Sequence, residues 1–183
     1  CYLPLVLGLV LCLWWGPRVL PALYLNALLS VPLWGLPWQW APLYALPETA
    51  AVALGWWLLR RHSFDPALGS LADLLRFLAF GVLAPAALVA LGLQANLWLT
   101  GLQLGEHWAQ ASLAVWLNDA INLLALATPL LVFGSPLLRA RGWLPESTTA
   151  DAQALSISRS WRGWLLAFGI FLALMALVGS LPM

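Results

Sequence analysis

The sequence predicts an all-α fold: a polytopic transmembrane helix bundle with six spans in this chain. Three observations predict it. Of the 183 residues, 63% are hydrophobic and 8% charged, against about 25% charged in a soluble domain, so most of the surface needs lipid to cover it. Apolar runs near spanning length recur with short gaps between them. All the cationic residues, Arg18, Arg60, Arg61, Arg76, Arg139, Arg141, Arg159 and Arg162, fall in alternate gaps, while the gaps at 34–42 and 93–106 hold none. That asymmetry places the arginine-bearing loops in the cytoplasm.

The elements follow in order. The first run, 2–15, is short for a span and closes on the tight turn Gly16-Pro17-Arg18. The second, 19–36, carries Pro21 in its first turn, where a missing N–H costs nothing. A gap with Trp34, Pro37, Trp38, Trp40 and Pro42 leads to the third run, 43–59, which stops at Arg60-Arg61-His62. The fourth run, 71–93, contains Pro85; the fifth, 107–133, contains Pro129; the sixth covers 161–181. Both prolines are places for a bend. Between the last two runs, 134–159 is the longest polar stretch, with loop chemistry at Pro145-Glu-Ser-Thr-Thr-Ala-Asp followed by a short helix. The whole of 1–183 is one integral membrane domain with no room for a soluble one.

The arginines make the first, third and fifth runs descend toward the cytoplasm and the others return. Both chain ends then emerge outside. The simplest repair is one further span before Cys1 and another after Leu181. Cys1 and Cys12 are roughly 16 Å apart along one helix, beyond disulfide reach. Tryptophans mark the two interfaces: Trp14, Trp15, Trp56, Trp57, Trp161 and Trp164 at inner ends, Trp34, Trp38, Trp40, Trp98 and Trp108 at outer ends.

Asp119 is the most informative single residue, because it falls near the middle of the fifth run. An ionisable group at that depth costs about 2.5–3.5 kcal/mol on insertion scales and faces protein or water. Ser112, Val115, Asp119, Asn122 and Leu126 share helical spacing, with Asn118 beside them. Two readings stand. The stripe is a ligand, ion or proton site, or it is an interhelical hydrogen-bond staple made by Asn118, Asp119 and Asn122. Glu48 is the second candidate, one turn into the third run on the outer side; a favourable helix dipole explains an acid there equally well. No arginine shares the depth of either acid. Each is protonated, hydrated, cation-bound or hydrogen-bonded by Asn, Gln or Thr. The polar anchor is therefore Asp119 with Asn118, Asn122 and Glu48, and a stimulus is expected to enter between the third and fifth runs.

Glu106 and His107 lie at the outer start of the fifth run, His107 about 18 Å along the helix from Asp119, and His62 reads as inner-face charge. The sequence has no phosphate-binding glycine loop, no metal-spaced Cys or His cluster and no Ser/His/Asp set. No metal, no cofactor and no enzymatic activity are expected. Gly169 with Ala173, Ala176 with Ser180, and Ala86 with Ala90 are small-residue pairs suited to close helix packing. The expected surroundings are the lipid bilayer and a membrane or cytoplasmic protein partner, with no nucleic acid.

Three stretches, in order, resemble a known family. They are Trp15-Gly-Pro-Arg-Val-Leu-Pro-Ala-Leu-Tyr-Leu-Asn-Ala-Leu-Leu; Leu54-Gly-Trp-Trp-Leu-Leu-Arg-Arg with Phe64-Asp-Pro-Ala-Leu and Leu71-Ala-Asp-Leu-Leu-Arg; and Trp116-Leu-Asn-Asp-Ala-Ile-Asn with Thr128-Pro-Leu-Leu. Together they resemble the first type of membrane-associated sensor domain of bacterial signalling proteins. The resemblance implies an eight-helix domain of the bacterial inner membrane joined to a cytoplasmic cyclase, phosphodiesterase or kinase. The six runs would match its second to seventh helices. The family pattern Trp-Leu-Gly-Asp-Ala-x-Gly reads here with Asn118 and Asn122 for its glycines. Its Gly-Asn reads Pro47-Glu48, and its following acid falls at Ala51, so Asp119 alone carries over unchanged. The function expected is a non-catalytic sensory module. The alternatives are an accessory subunit of a respiratory or photosynthetic membrane complex, and a small transporter using Asp119 as a proton relay.

Overall fold

A computed structural model describes residues 3–66, 68, 70–102 and 107–144. The sixth run, 161–181, and the polar stretch from 145 onward lie outside the described residues. Among the described residues every regular element is helical. We label the main helices α1 (Leu3–Trp15), α2 (Leu20–Ser30), α3 (Leu46–Arg61), α4 (Leu71–Leu99) and α5 (Trp108–Ala140). The last two are long and apolar enough to cross a membrane, and α1 is a shorter apolar helix.

The connections follow from their residues. Gly16, at φ +81°, ends α1 in the left-handed region, which lacks strain only for glycine, and Pro17 begins the next turn. The second run leaves α-geometry early: Pro32 turns it into a 3-10 segment at Val31–Trp34 before Gly35 closes it at φ +76°. A helical turn at Ala41–Tyr44 precedes α3. Between α3 and α4, Ser70 caps the helix by accepting the Asp73 N–H at 3.1 Å, and its hydroxyl donates to the Asp73 carboxylate. Asp73 also accepts from Arg76 at 3.1 Å. Phe64 stacks on Phe77, and the His62 ring stacks on Phe80 with centroids 4.5 Å apart. The loop motif behind the family resemblance is thus a clasp holding the α3–α4 loop on the start of α4.

Helices α1, α3, α4 and α5 close a ring. α3 packs along α1 and α4, α4 along α5, and α5 back against α1; α2 lies in the groove between α1 and α3. The core they enclose holds Leu5, Leu9, Val52, Leu59, Phe77, Val82, Leu123 and Leu131, all buried. Gly55 lets three helices meet: a Cβ there would stand 2.8 Å from Pro85 Cγ, 3.2 Å from the Phe80 carbonyl and 3.3 Å from Leu9. Gly92 gives α3 and α4 a second close approach, where a Cβ would lie 2.6 Å from Pro47.

The two long helices contain π-helical stretches, Phe77–Leu83 in α4 and Leu123–Ala127 and Leu130–Gly134 in α5. Each abuts or brackets a proline expected to bend its helix. Pro85 and Pro129 lack the N–H that would bond to the carbonyls of Gly81 and Ala125, and their rings crowd those carbonyls. Widening the turn relieves the crowding without ending the helix.

Helix ends differ from the sequence expectation for a common reason. The fourth run extends past 93 to Leu99 because its polar residues find partners on neighbouring helices. Gln94 accepts from Ser112, and Asn96 donates to the Leu43 carbonyl at 2.9 Å. That carbonyl is orphaned because Pro47 has no N–H to offer it. The fifth run extends past 133 to Ala140. Ser135, fully buried, accepts from Trp14 Nε1 at 2.9 Å, and Gly134 leaves room for the Trp14 ring. An Asn96→Ala protein should lose about 1–3 kcal/mol, the cost of a buried carbonyl left without a donor. Thermal unfolding in detergent measures it, with Tyr44→Phe, which breaks only the neutral contact to Thr100, as the milder comparison.

The tryptophan belts are only partly realised. Trp15, Trp34, Trp38, Trp57, Trp98 and Trp108 are exposed on the helix surfaces. Trp14 instead latches α1 to α5, and Trp56 packs against the core beneath Arg60, whose guanidinium lies 5.6 Å from its ring. A residue near a helix end can turn toward lipid or toward the bundle, and position along the chain does not say which.

Candidate functional site

Asp119 is buried on α5, 5% exposed, in a helix whose other buried residues here are Leu117, Ala120 and Ile121. It lies 11 residues from the start of α5 and 21 from its end. The longer α5 therefore places it in the first third of the helix rather than at the centre. Its carboxylate Oδ1 accepts from Asn118 Nδ2 at 3.3 Å. The Leu123–Ala127 π-stretch begins one turn further on. Asn118 itself is exposed, so the hydrogen bond joins a buried acid to the outer surface of the helix. Asn122 is half-buried, and its Nδ2 is enclosed without a hydrogen-bond partner.

The same helix holds Ser112, bonded to Gln94, and Trp116, whose Nε1 donates to the Leu83 carbonyl at 3.3 Å. Leu83 ends the π-stretch of α4. Trp116 and Gln94 are thus the cross-helix contacts that fix Asp119 against α4. Neither was singled out as a site residue in the sequence. Helical spacing placed Ser112 on the Asp119 stripe, but spacing on one helix does not reveal the partner on another.

Glu48 is buried in the first turn of α3, 5% exposed. Pro47 meets α4 at Gly92, whereas Trp116, one turn before Asp119, meets it at Leu83. Those two contact points on α4 are nine residues apart, about 13 Å by the helical rise. Moreover, α3 and the Asp119 half of α5 each pack on α4 rather than along one another. Asp119 and Asn118 form one polar group, Asn122 lies a turn further along the same helix, and Glu48 lies in the first turn of α3.

Among the described residues, no group of three or more His, Cys, Asp or Glu side chains is arranged to hold a metal ion. His107 is exposed at the start of α5, and Glu106 lies outside the described residues. The arrangement can do two things chemically. A buried carboxyl with an amide beside it can accept a proton, a cation or a hydrogen-bond donor. The π-stretches next to it offer a backbone that can change its turn.

No curated protein and no solved structure matches the chain. The sequence model of the membrane-associated sensor 1 domain, MASE1, matches residues 1–183. With its helices, its clasped Asp73 loop and its Asp119 segment described, the chain belongs to the MASE1 family of membrane sensor domains of signalling proteins.

Proposed function

We propose that this chain is a non-catalytic sensory module of a bacterial signalling protein, that it spans the inner membrane six times, and that Asp119 is its polar anchor. Its arginine-bearing loops face the cytoplasm in this reading, where an output domain or partner would receive the signal. The observation that carries the proposal is the buried Asp119, bonded to the exposed Asn118, set one turn before a π-stretch on a helix braced on α4 through Trp116. A sensor needs a stimulus that binds two packings with different affinity. A π-stretch supplies a second packing at low cost, since one residue's shift of hydrogen bonding converts it to α, and such stretches are frequent at functional sites. Asn118 and Asn122 complete the polar stripe, and Glu48 holds the outer end of α3.

The test is an Asp119→Asn substitution in the full signalling protein. The isosteric amide keeps the volume and removes the charge and the proton-accepting oxygen. Output is expected to lose its dependence on the stimulus while the protein still inserts. A normal dose response in that variant would remove Asp119 from the mechanism.

A further inference from the structure

The exposed side of α3 is built unlike its buried side. Glu48, Val52, Gly55 and Leu59 face the bundle and are buried. Opposite them, Leu46, Ala50, Ala53, Trp57, Arg60 and Arg61 recur at spacings that keep them on one helix face. Leu46 is 52% and Trp57 47% exposed, and Ala50, Arg60 and Arg61 are exposed as well. The face is therefore an apolar strip closed at one end by two cations. From Leu46 to Trp57 it runs about 16 Å by the helical rise, roughly one leaflet of a ~30 Å hydrocarbon core. The small side chains of Ala50 and Ala53 leave a shallow furrow between Leu46 and Trp57.

We propose that this face holds an anionic phospholipid, with its phosphate at Arg60 and Arg61 and an acyl chain along the furrow. Each guanidinium lies over an indole one turn back: Arg60 is 5.6 Å from the Trp56 ring centroid and Arg61 5.2 Å from that of Trp57. Both side chains are thus folded back along the helix toward the apolar strip instead of out into water. A guanidinium held over a ring keeps N–H groups for the oxygens of an anion. Neither arginine forms an ion pair with a described carboxylate, whereas Arg76 on α4 is taken by Asp73. A lipid fits better than a soluble anion because the two cations adjoin an exposed apolar strip, and a charged head with a hydrocarbon tail covers both. The exposed Trp57 ring marks the headgroup level at which the two halves meet. The inference rests on the membrane reading above, but it needs neither the orientation of the loops nor the signalling role.

Thermal unfolding of the full chain in an uncharged detergent tests this, with phosphatidylglycerol or phosphatidylcholine added at equal mole fraction. Phosphatidylglycerol is expected to raise the unfolding temperature above the phosphatidylcholine value, because a ligand of the folded state stabilises it. Arg60→Gln combined with Arg61→Gln should abolish that difference, and each single variant should need about fivefold more phosphatidylglycerol for the same shift. Arg141→Gln, in the loop after α5, should retain the full difference. Should the double variant fail to fold even in phosphatidylcholine, Arg61→Gln and Trp57→Ala carry the test, since both positions are exposed; Trp57→Ala should lose affinity for phosphatidylglycerol with both arginines in place. Equal shifts from the two lipids, or a difference that survives loss of the arginines, would overturn the proposal. The same shift from soluble glycerol phosphate would overturn it in favour of a free-anion site.

Discussion

Gly55→Leu should cost about 3 kcal/mol or more and leave little folded protein, because it overfills the closest approach in the ring. The Cβ alone would stand 2.8 Å from the Pro85 ring, 3.2 Å from the Phe80 carbonyl and 3.3 Å from a Leu9 methyl. Two of those neighbours cannot give way. Pro85 is fully buried and its ring is rigid, and the Phe80 carbonyl belongs to the π-stretch of α4. Gly55→Ala should do the same in milder form. Combining Gly55→Ala with Pro85→Ala removes the nearest clash and leaves the Phe80 contact, so the double variant should be more stable than the two single losses predict, by roughly 1 kcal/mol of coupling. Detergent-solubilised thermal unfolding reads all four proteins. Strict additivity would show that α3 and α4 do not meet at this point.

Asp119→Leu separates the two meanings of the buried acid. A staple that holds helices together loses about 1–3 kcal/mol when its hydrogen-bonding group is replaced. A site kept for function behaves otherwise: an apolar side chain of similar size in a buried position leaves stability unchanged or raises it, while the response disappears. We expect the second result. The hydrogen bond described for Asp119 is to Asn118, its neighbour on the same helix. It does not bridge two helices, whereas Trp116, Ser112 and Trp14 do. Trp116→Phe should accordingly destabilise the bundle more than Asp119→Leu. The reverse order in an unfolding series would make Asp119 a structural residue.

The helices were legible in the sequence because their cause is compositional. Apolar runs broken by arginines, glycines and prolines dictate where a chain can enter hydrocarbon, and α1 to α5 sit on five of those runs. The burial of Asp119 was legible for a related reason, since its stripe of polar residues on one face of an apolar helix asks for an interior. What could not be read was azimuth and pairing. Pro47 announces an orphaned carbonyl at Leu43, but nothing in one dimension names Asn96 as its donor. Pro85 and Pro129 announce strain, but relief by a widened turn rather than a kink depends on how Phe77, Phe80 and Leu83 pack. Trp14 and Trp15 are adjacent in sequence, yet one latches α5 and the other faces outward. Glu48 and Asp119 looked like partners because both are acids without a cation. The helices that carry them touch α4 at different levels, Pro47 at Gly92 and Trp116 at Leu83.

The central claim is that a membrane surrounds this bundle with its guanidinium groups on the cytoplasmic side, from which the depth and direction of the Asp119 site follow. Single cysteines at Gly101, in the arginine-free turn after α4, and at Arg141, after α5, test it most directly, on the Cys1→Ser, Cys12→Ala background in intact cells. An impermeant thiol reagent should modify Gly101→Cys at once and Arg141→Cys only after the membrane is permeabilised. Labelling of Arg141→Cys from outside with Gly101→Cys protected would invert the orientation, and labelling of both in sealed cells would contradict the spanning bundle itself.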